Sequence, residues 1–409
     1  MKKILRDNKG SISALVVISV LLYSIVLTTV FMHASSKRKM QMESQILAKE
    51  AYEKQLDNLD EIRDEINGGK RVPEEATSET APYFPDNTFT KKEGTIDTGL
   101  VIQDANENEY VWVVVPRTTA VYATTGLGKT TFTDADYTSI ENDLKEYTKT
   151  YRGSISYSDV YYPDDKNVGW FADATAYNNL KNSMLKSVYE NGGFYVGRYE
   201  AGIDTTAGTN RTSNTDKNSN GKYTMPSTTP VSRADAYPYT WVTRTQAQNL
   251  ASNVNSGTKT SSLMFGVQWD LVLAFMHNKG NIADSTLTSN STTIGNYKNN
   301  LWTIKNANAK YSTDYGSTFT ACPNPFKKDA DSKILLTTGA DSSFSVQNIY
   351  DIAGNVYEWT LEKTDRGSLP CAQRGGDFYD TGSGSPAAKR NNFYTFSTNY
   401  SIGFRVTLW

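Results

Sequence analysis

Arg374-Gly375-Gly376-Asp377-Phe378 and, further on, Gly403-Phe404-Arg405 bracket a stretch of unusual composition. From Asp377 to Ser401 there is no Leu, Ile, Val or Met; Tyr, Phe, Ser, Thr, Asn and Gly dominate. Aliphatic residues return only at Ile402 and in Val406-Thr407-Leu408. A fold normally spends aliphatic side chains on its core strands, so the two flanking motifs read as scaffold and the middle as a displayed surface. Its candidate binding residues are Tyr379, Asp380, Thr381, Ser383, Asn391, Asn392, Phe393, Tyr394, Ser397, Asn399 and Tyr400. Rings of this kind anchor a ligand at low entropic cost, while short polar groups adapt to it.

Just upstream lies Tyr350-Asp351-Ile352-Ala353-Gly354-Asn355-Val356-Tyr357-Glu358-Trp359. Gly354-Asn355 predicts a tight turn. Asp351 and Glu358 set hard oxygen ligands on either side of it, with carbonyls between, which suits calcium. Trp359 reads as core. Further back, residues 174–191 predict a helix, with Leu180, Met184 and Val188 four apart and Gly192-Gly193 as its stop. Gly193-Phe194-Tyr195-Val196-Gly197-Arg198-Tyr199-Glu200 contains a strand, and residues 242–250 and 264–275 are helix candidates, with Trp241, Trp269 and Phe275 as core mass. The runs 99–104 and 109–116 predict a hairpin. Residues 123–130 fit a permissive phosphate-loop pattern with Ala123 in place of the first Gly. No amphipathic helix is evident after it, so it reads as a surface loop.

Taken in order, residues 193–200, Tyr239-Thr240-Trp241-Val242, residues 350–359, Arg374-Gly375-Gly376 and Gly403-Phe404-Arg405 resemble the formylglycine-generating-enzyme, or sulfatase-modifying factor, family. The resemblance covers residues 99–409. It implies an α+β, C-type-lectin-like domain rich in irregular loops. It also implies a structural calcium held by the Asp351 and Glu358 side chains and the Gly354 and Val356 carbonyls. Members that act as enzymes use two cysteines after the Arg-Gly-Gly motif. By that spacing the positions fall on Asp380 and Ser385, and the chain's two cysteines, Cys322 and Cys371, lie elsewhere. The thiolate is the competent species, so copper and thiol-oxidase chemistry are not expected. Fold similarity alone does not restore activity. Targets of diversity-generating retroelements vary the segment between these same two motifs, which makes residues 377–401 a candidate diversified segment. Another kind of enzyme on this fold is the weaker alternative, because an iron site would find only His277 in the domain.

Composition agrees with a folded binding protein. The 409 residues carry a net charge of −2 and are 38% hydrophobic and 21% charged, which argues against a nucleic-acid partner. The 26 tyrosines favour a contact surface for an unknown protein or glycan ligand.

At the other end, Lys2, Lys3, Arg6 and Lys9 precede an uncharged run from Gly10 to Ser36. Its centre, residues 12–32, is long enough for a membrane helix of roughly 20 residues; a cleaved secretory signal is the rival reading. Asn8-Lys9-Gly10-Ser11 resembles the leader junction of type IV prepilins, although Leu15 stands where that family carries Glu. From Met40 to Ile66 there is no Gly or Pro, which predicts a stalk helix able to self-associate. The expected organisation is leader and membrane helix 1–36, stalk 37–67, linker 68–98 and domain 99–409. The expected setting is a bacterial cell membrane, crossed once, with the domain outside the cell. A minor pilin or pseudopilin carrying the domain in a surface filament, with residues 12–66 as the contact, is the alternative.

Overall fold

The computed structural model describes residues 71–153, 157–164, 166–254 and 259–409, together with residues 19–28, 39, 46, 47 and 49. The chain divides into two compact units, Met1–Asn67 and Gly68–Trp409. In the first, residues 19–28 are helical. No helix among the described residues is long and apolar enough to cross a membrane. The two ends of the expected span 12–32, the Gly10-Ser11 junction and nearly all of the stalk lie outside the described residues.

The second unit mixes helices with two main sheets. Six strands run Thr90–Glu93, Val101–Gln103, Glu109–Val114, Gly193–Gly197, Val406–Leu408 and Ser261–Leu263, each antiparallel to its neighbour. The expected hairpin is present, with Val101 opposite Val111. The second sheet pairs Arg390–Phe393 with Cys371–Arg374 and that strand with Tyr357–Thr364, both antiparallel. Ile402–Phe404 then joins Tyr357–Thr364 in parallel. The Arg-Gly-Gly and Gly-Phe-Arg motifs therefore leave the same sheet from strands on either side of Tyr357–Thr364.

Local signals account for the helices. Ala174–Asn191 starts at Asp173, whose carboxylate accepts the Ala176 N–H at 2.8 Å, and ends at Gly192 with φ 67°. Arg244–Ser252 carries a capping box between Thr243 and Gln246. Gly266–Gly280 is buried continuously from Gly266 to Met276. Its apolar residues surround the axis, as in a helix at the centre of a core. Trp269, Phe275 and Trp359 are core, as expected; Trp241 is half-buried instead, at φ 58°.

Two expectations are corrected. The loop after residue 130 is followed by a helix, Asp134–Tyr147, begun by a Thr133–Asp136 capping box. The 123–130 stretch still makes no phosphate loop. The Thr124 and Thr125 amides donate to Asp143, and the Lys129 ammonium pairs with Asp136 at 2.7 Å. Residues 71–98 are not a linker. Val72, Ala81, Tyr83 and Phe89 are buried, and Thr90–Glu93 forms the first strand of the sheet. The Tyr83 ring lies edge-on to Trp112 at 5.7 Å and to Tyr195 at 6.0 Å. These few apolar anchors outweigh a linker-like composition.

One buried charge stands apart. Arg244, 1% exposed, has Nε and one terminal nitrogen without an acceptor, and its guanidinium lies 4.3 Å from the Trp170 ring centre. It occupies the first turn of Arg244–Ser252, where the helix dipole disfavours a cation. A buried cation lacking hydrogen bonds is costly, and an apolar side chain of similar volume removes that cost. Arg244→Met is expected to raise stability by about 1–3 kcal/mol. A lower thermal midpoint would mean that the guanidinium finds a partner in solution.

Candidate functional site

Arg374 is a structural residue. Its guanidinium, wholly buried, meets Asp270 at 2.8 Å and Glu362 at 3.2 Å. Arg390 closes the ring on the same two carboxylates, at 2.5 and 3.0 Å, and Arg152 adds a contact to Asp270 at 2.9 Å. Gly375 and Gly376 then turn the chain at φ 92° and 80°. A Cβ at Gly376 would lie 2.4 Å from the Ser385 carbonyl oxygen. At the other motif, Arg405 is likewise buried. Its Nε reaches both Glu358 oxygens at 3.1 Å, and a terminal nitrogen reaches one of them at 2.6 Å. Both motifs are thus frame, held by buried guanidinium–carboxylate pairs.

Between them the chain folds over a compact polar centre. The Asp377 carboxylate accepts the amides of Tyr379 and Asp380 at 2.9 and 3.0 Å, which fixes the turn. The Tyr357 hydroxyl donates to Asp380 at 2.7 Å and stands 2.8 Å from the Ser385 hydroxyl. Tyr357 has one proton to give, so Ser385 donates to Tyr357. Asp380, Tyr357 and Ser385 form one relay. The Tyr297 hydroxyl below it is 2.8 and 2.7 Å from the Gly375 and Ser385 carbonyls.

Burial raises the Asp377 carboxyl to about 7, helped by the charge of Asp380. Burial raises Asp159 to about 6, with Glu362 and Glu141 adding to it. Both lie above the unfolded carboxyl value of roughly 3.9. In the interval the native state holds protons that the unfolded chain has lost, so stability falls as pH rises. This contribution is complete below about 4 and gone above about 7. The thermal midpoint is expected to be higher at pH 5 than at pH 8, with a shallower slope in Asp377→Asn. A midpoint that rises over that range would contradict it.

The eleven candidate display residues separate into three groups. Tyr379 and Tyr400 meet through Tyr315, whose ring centre lies 6.1 Å from the first and 4.7 Å from the second. Phe378 backs both rings, and the Lys333 ammonium sits 3.5 Å from the Tyr379 ring centre. The Asn399 carbonyl accepts the Trp241 amide beside Tyr400. Asn391, Asn392 and Phe393 form part of the half-buried edge strand, where Phe393 turns its ring to Trp359 at 6.4 Å. Tyr394 beyond it, 44% exposed, stacks on Phe396 at 5.1 Å, and the Ser397 amide closes a turn onto the Tyr394 carbonyl. Thr381 and Ser383 form the third group, their hydroxyls 3.4 Å apart. Two members are not free for display: Asp380 is spent on Tyr357, and Phe393 on the core.

The two side chains of the calcium set, Asp351 and Glu358, are buried beside a third carboxylate, Glu200, whose carboxyl burial and their charges push up. Glu358 gives both oxygens to Arg405, Asp351 accepts the Gly339 amide at 2.7 Å, and the Val356 amide donates to Glu200 at 3.2 Å. The Arg405 guanidinium answers the charge of Glu358. No group of three or more His, Cys, Asp or Glu among the described residues could hold a metal ion. Chelation by EDTA tests the set: a loss of several degrees in the thermal midpoint supports calcium there, and an unmoved midpoint removes it.

With this geometry in view, the chain was compared with known proteins. Residues 85–408 match the sulfatase-modifying factor enzyme 1-like domain. The chain belongs to that family. No curated protein matches it. Similar solved structures include PvdO from Pseudomonas aeruginosa, 15% identical over 78% of this chain and 99% of that one, with a TM-score of 0.33. CarF is 16% identical over 73% and 85%, with a TM-score of 0.22. Treponema denticola variable protein 1 is 15% identical over 73% and 84%, with a TM-score of 0.20.

In this sulfatase-modifying-factor-like domain the two positions assigned by spacing to the enzymes' cysteines, Asp380 and Ser385, are brought together through Tyr357. The cysteines themselves are elsewhere. Cys371 is buried in a strand, Cys322 packs in a separate cluster, and both are free thiols that burial pushes up to about 11. Sequence reasoning missed Tyr357, Tyr315 and Lys333. Tyr357 carried a signal, since it lies inside the 350–359 motif; Tyr315 and Lys333 lie in a stretch without periodicity.

Proposed function

We propose that this chain is a ligand-binding member of the sulfatase-modifying factor family that performs no thiol oxidation. The observation that carries this reading is the relay Ser385–Tyr357–Asp380 at the positions where enzymes of the family are expected to hold cysteines. Neither an alcohol nor a carboxylate there supplies the thiolate that the chemistry requires. The ligand, a protein or a glycan, meets the face around Tyr379, Tyr400 and the 45% exposed Tyr315. Rings held by one another at half-exposure lose little freedom on binding, which supports a contact role.

The setting proposed for it is the outer face of a bacterial membrane, with residues 12–32 as the anchor. A filament through residues 12–66 is the alternative, and a mature N-terminus at Ser11 found by mass spectrometry would favour it. Diversification of residues 377–401 is tested in the coding DNA, where a nearby near-copy differing at adenines is expected.

The decisive experiment has two arms. The full chain, incubated with copper and a cysteine-containing sulfatase peptide, is expected to leave that cysteine unchanged; formylglycine in the product would overturn the proposal. On glycan arrays and surface-protein panels, the Tyr379→Ala/Tyr400→Ala double variant is expected to lose whatever the wild type retains. Equal retention by both would remove the tyrosine face from the reading.

A further inference from the structure

A cavity of about 370 Å³ opens beside Ser383, and Tyr315, Tyr379 and Tyr400 are not among its lining residues. Small-ligand pockets run from roughly 300 to 1,000 Å³. Its lining comes from residues 150–153 with Tyr157, from Thr288 and Ser289, and from residues between 383 and 390. Arg152, Lys389 and Arg390 are among the lining residues, and no Asp or Glu is.

The carboxylates that balance these cations are not among the lining residues. Asp270 and Glu362, both buried, grip Arg390, and Asp270 also holds Arg152 at 2.9 Å. Asp284 accepts the Tyr151 hydroxyl at 2.7 Å. The guanidiniums are thereby fixed in place before any ligand arrives, which lowers the entropic cost of binding. Lys389 is half-buried, and its ammonium makes no hydrogen bond or ion pair among the described residues. Thr150, Thr288, Ser289 and Ser383 are also in the wall, and the Thr288 hydroxyl already donates to the Asp284 carbonyl at 2.8 Å. Fixed cations answer an oxyanion, and clustered hydroxyls answer hydroxyls.

We infer that this cavity binds an acidic sugar, with Lys389 and Arg152 taking its carboxylate or sulfate and Ser289 and Ser383 its hydroxyls. The inference rests on the ligand-binding reading, since Ser383 belongs both to the display segment and to the cavity wall, and it names the ligand class.

The test titrates the full chain with glucuronic acid, glucose and acetate, in the wild type and in Lys389→Gln and Ser383→Val. Glucuronic acid is expected to bind, glucose and acetate at least tenfold more weakly. Lys389→Gln is expected to weaken glucuronic acid about tenfold, and added salt to weaken it in the wild type. Thermal midpoints of both variants near the wild-type value show that they remain folded. Equal binding of glucose and glucuronic acid, binding of acetate as tight as the sugar's, or no change in Lys389→Gln overturns the inference. Binding of another ligand lost in Tyr379→Ala/Tyr400→Ala, with no glucuronic acid bound, overturns the cavity and spares the tyrosine face.

Discussion

An Asp270→Ala chain is expected not to fold. Asp270 accepts from three guanidiniums, those of Arg152, Arg374 and Arg390, and its side chain has no exposure. Removing one partner of a buried ion pair costs about 3–5 kcal/mol, because the remaining charge is left without compensation. Here one substitution strands parts of three cations, and the remaining carboxylate, Glu362, pairs with Arg374 and Arg390 but not with Arg152. A domain is stable by about 5–15 kcal/mol in all, so the loss is comparable with the whole margin. Circular dichroism and limited proteolysis should find a protease-sensitive chain without a cooperative transition. A soluble variant melting within a few degrees of wild type would show that the guanidiniums are solvated and the network is not closed. Asp270→Asn sharpens the result: shape is kept and charge is lost, so its failure would place the effect in electrostatics and not in a void.

Gly376→Ala is expected to cost about 3 kcal/mol or more. Two effects add. A left-handed backbone conformation costs an alanine about 1–2 kcal/mol, and Gly376 sits at φ 80°. The new Cβ would also lie 2.4 Å from the Ser385 carbonyl oxygen and 2.9 Å from the Tyr297 ring. The Ser385 backbone would have to move, and with it the hydroxyl that donates to Tyr357 and the carbonyl that Tyr297 holds. Gly375→Ala shares the positive φ, but its nearest contacts are 3.0 and 3.3 Å, so its cost should be smaller. Gly384→Ala, 3.0 Å from the Thr381 hydroxyl and without a positive φ, should cost least of the three. Thermal denaturation of the three variants gives the order directly. If Gly376→Ala ranked with Gly384→Ala, the close packing of residues 376 and 385 would be wrong.

Much of this was legible in the sequence, and the reasons differ by element. The helix Ala174–Asn191 carried its own stop signal in Gly192, and the frame motifs declared themselves through glycine and arginine. The helix Asp134–Tyr147 stayed hidden because Glu141 and Asp143, polar by type, face inward, where Lys181 and the amides of residues 124 and 125 satisfy them. A hydrophobic periodicity cannot register a face built from paired charges. Residues 71–98 misled for the opposite reason: Pro, Glu and Thr set the average, while Tyr83 and Phe89 set the packing. A contact distant in sequence bears on the calcium expectation. Asp351 and Glu358 suit a metal by type, but Arg405 lies far along the chain and reaches Glu358 first. Likewise Tyr315 joins Tyr379 and Tyr400 only once the chain is folded, so no local spacing could announce it.

The position of Val406–Leu408 has a consequence for the order of assembly. That strand lies between Gly193–Gly197 and Ser261–Leu263, inside the six-stranded sheet. A nascent chain that has emerged only through Ser401 still lacks it, and the sheet is left with open strand edges. Non-local pairings of this kind are slow to form and leave strand edges open in the meantime. Any substitution within residues 377–401 therefore precedes the strand that closes the sheet, and its first effect is read in whether the chain reaches its native state.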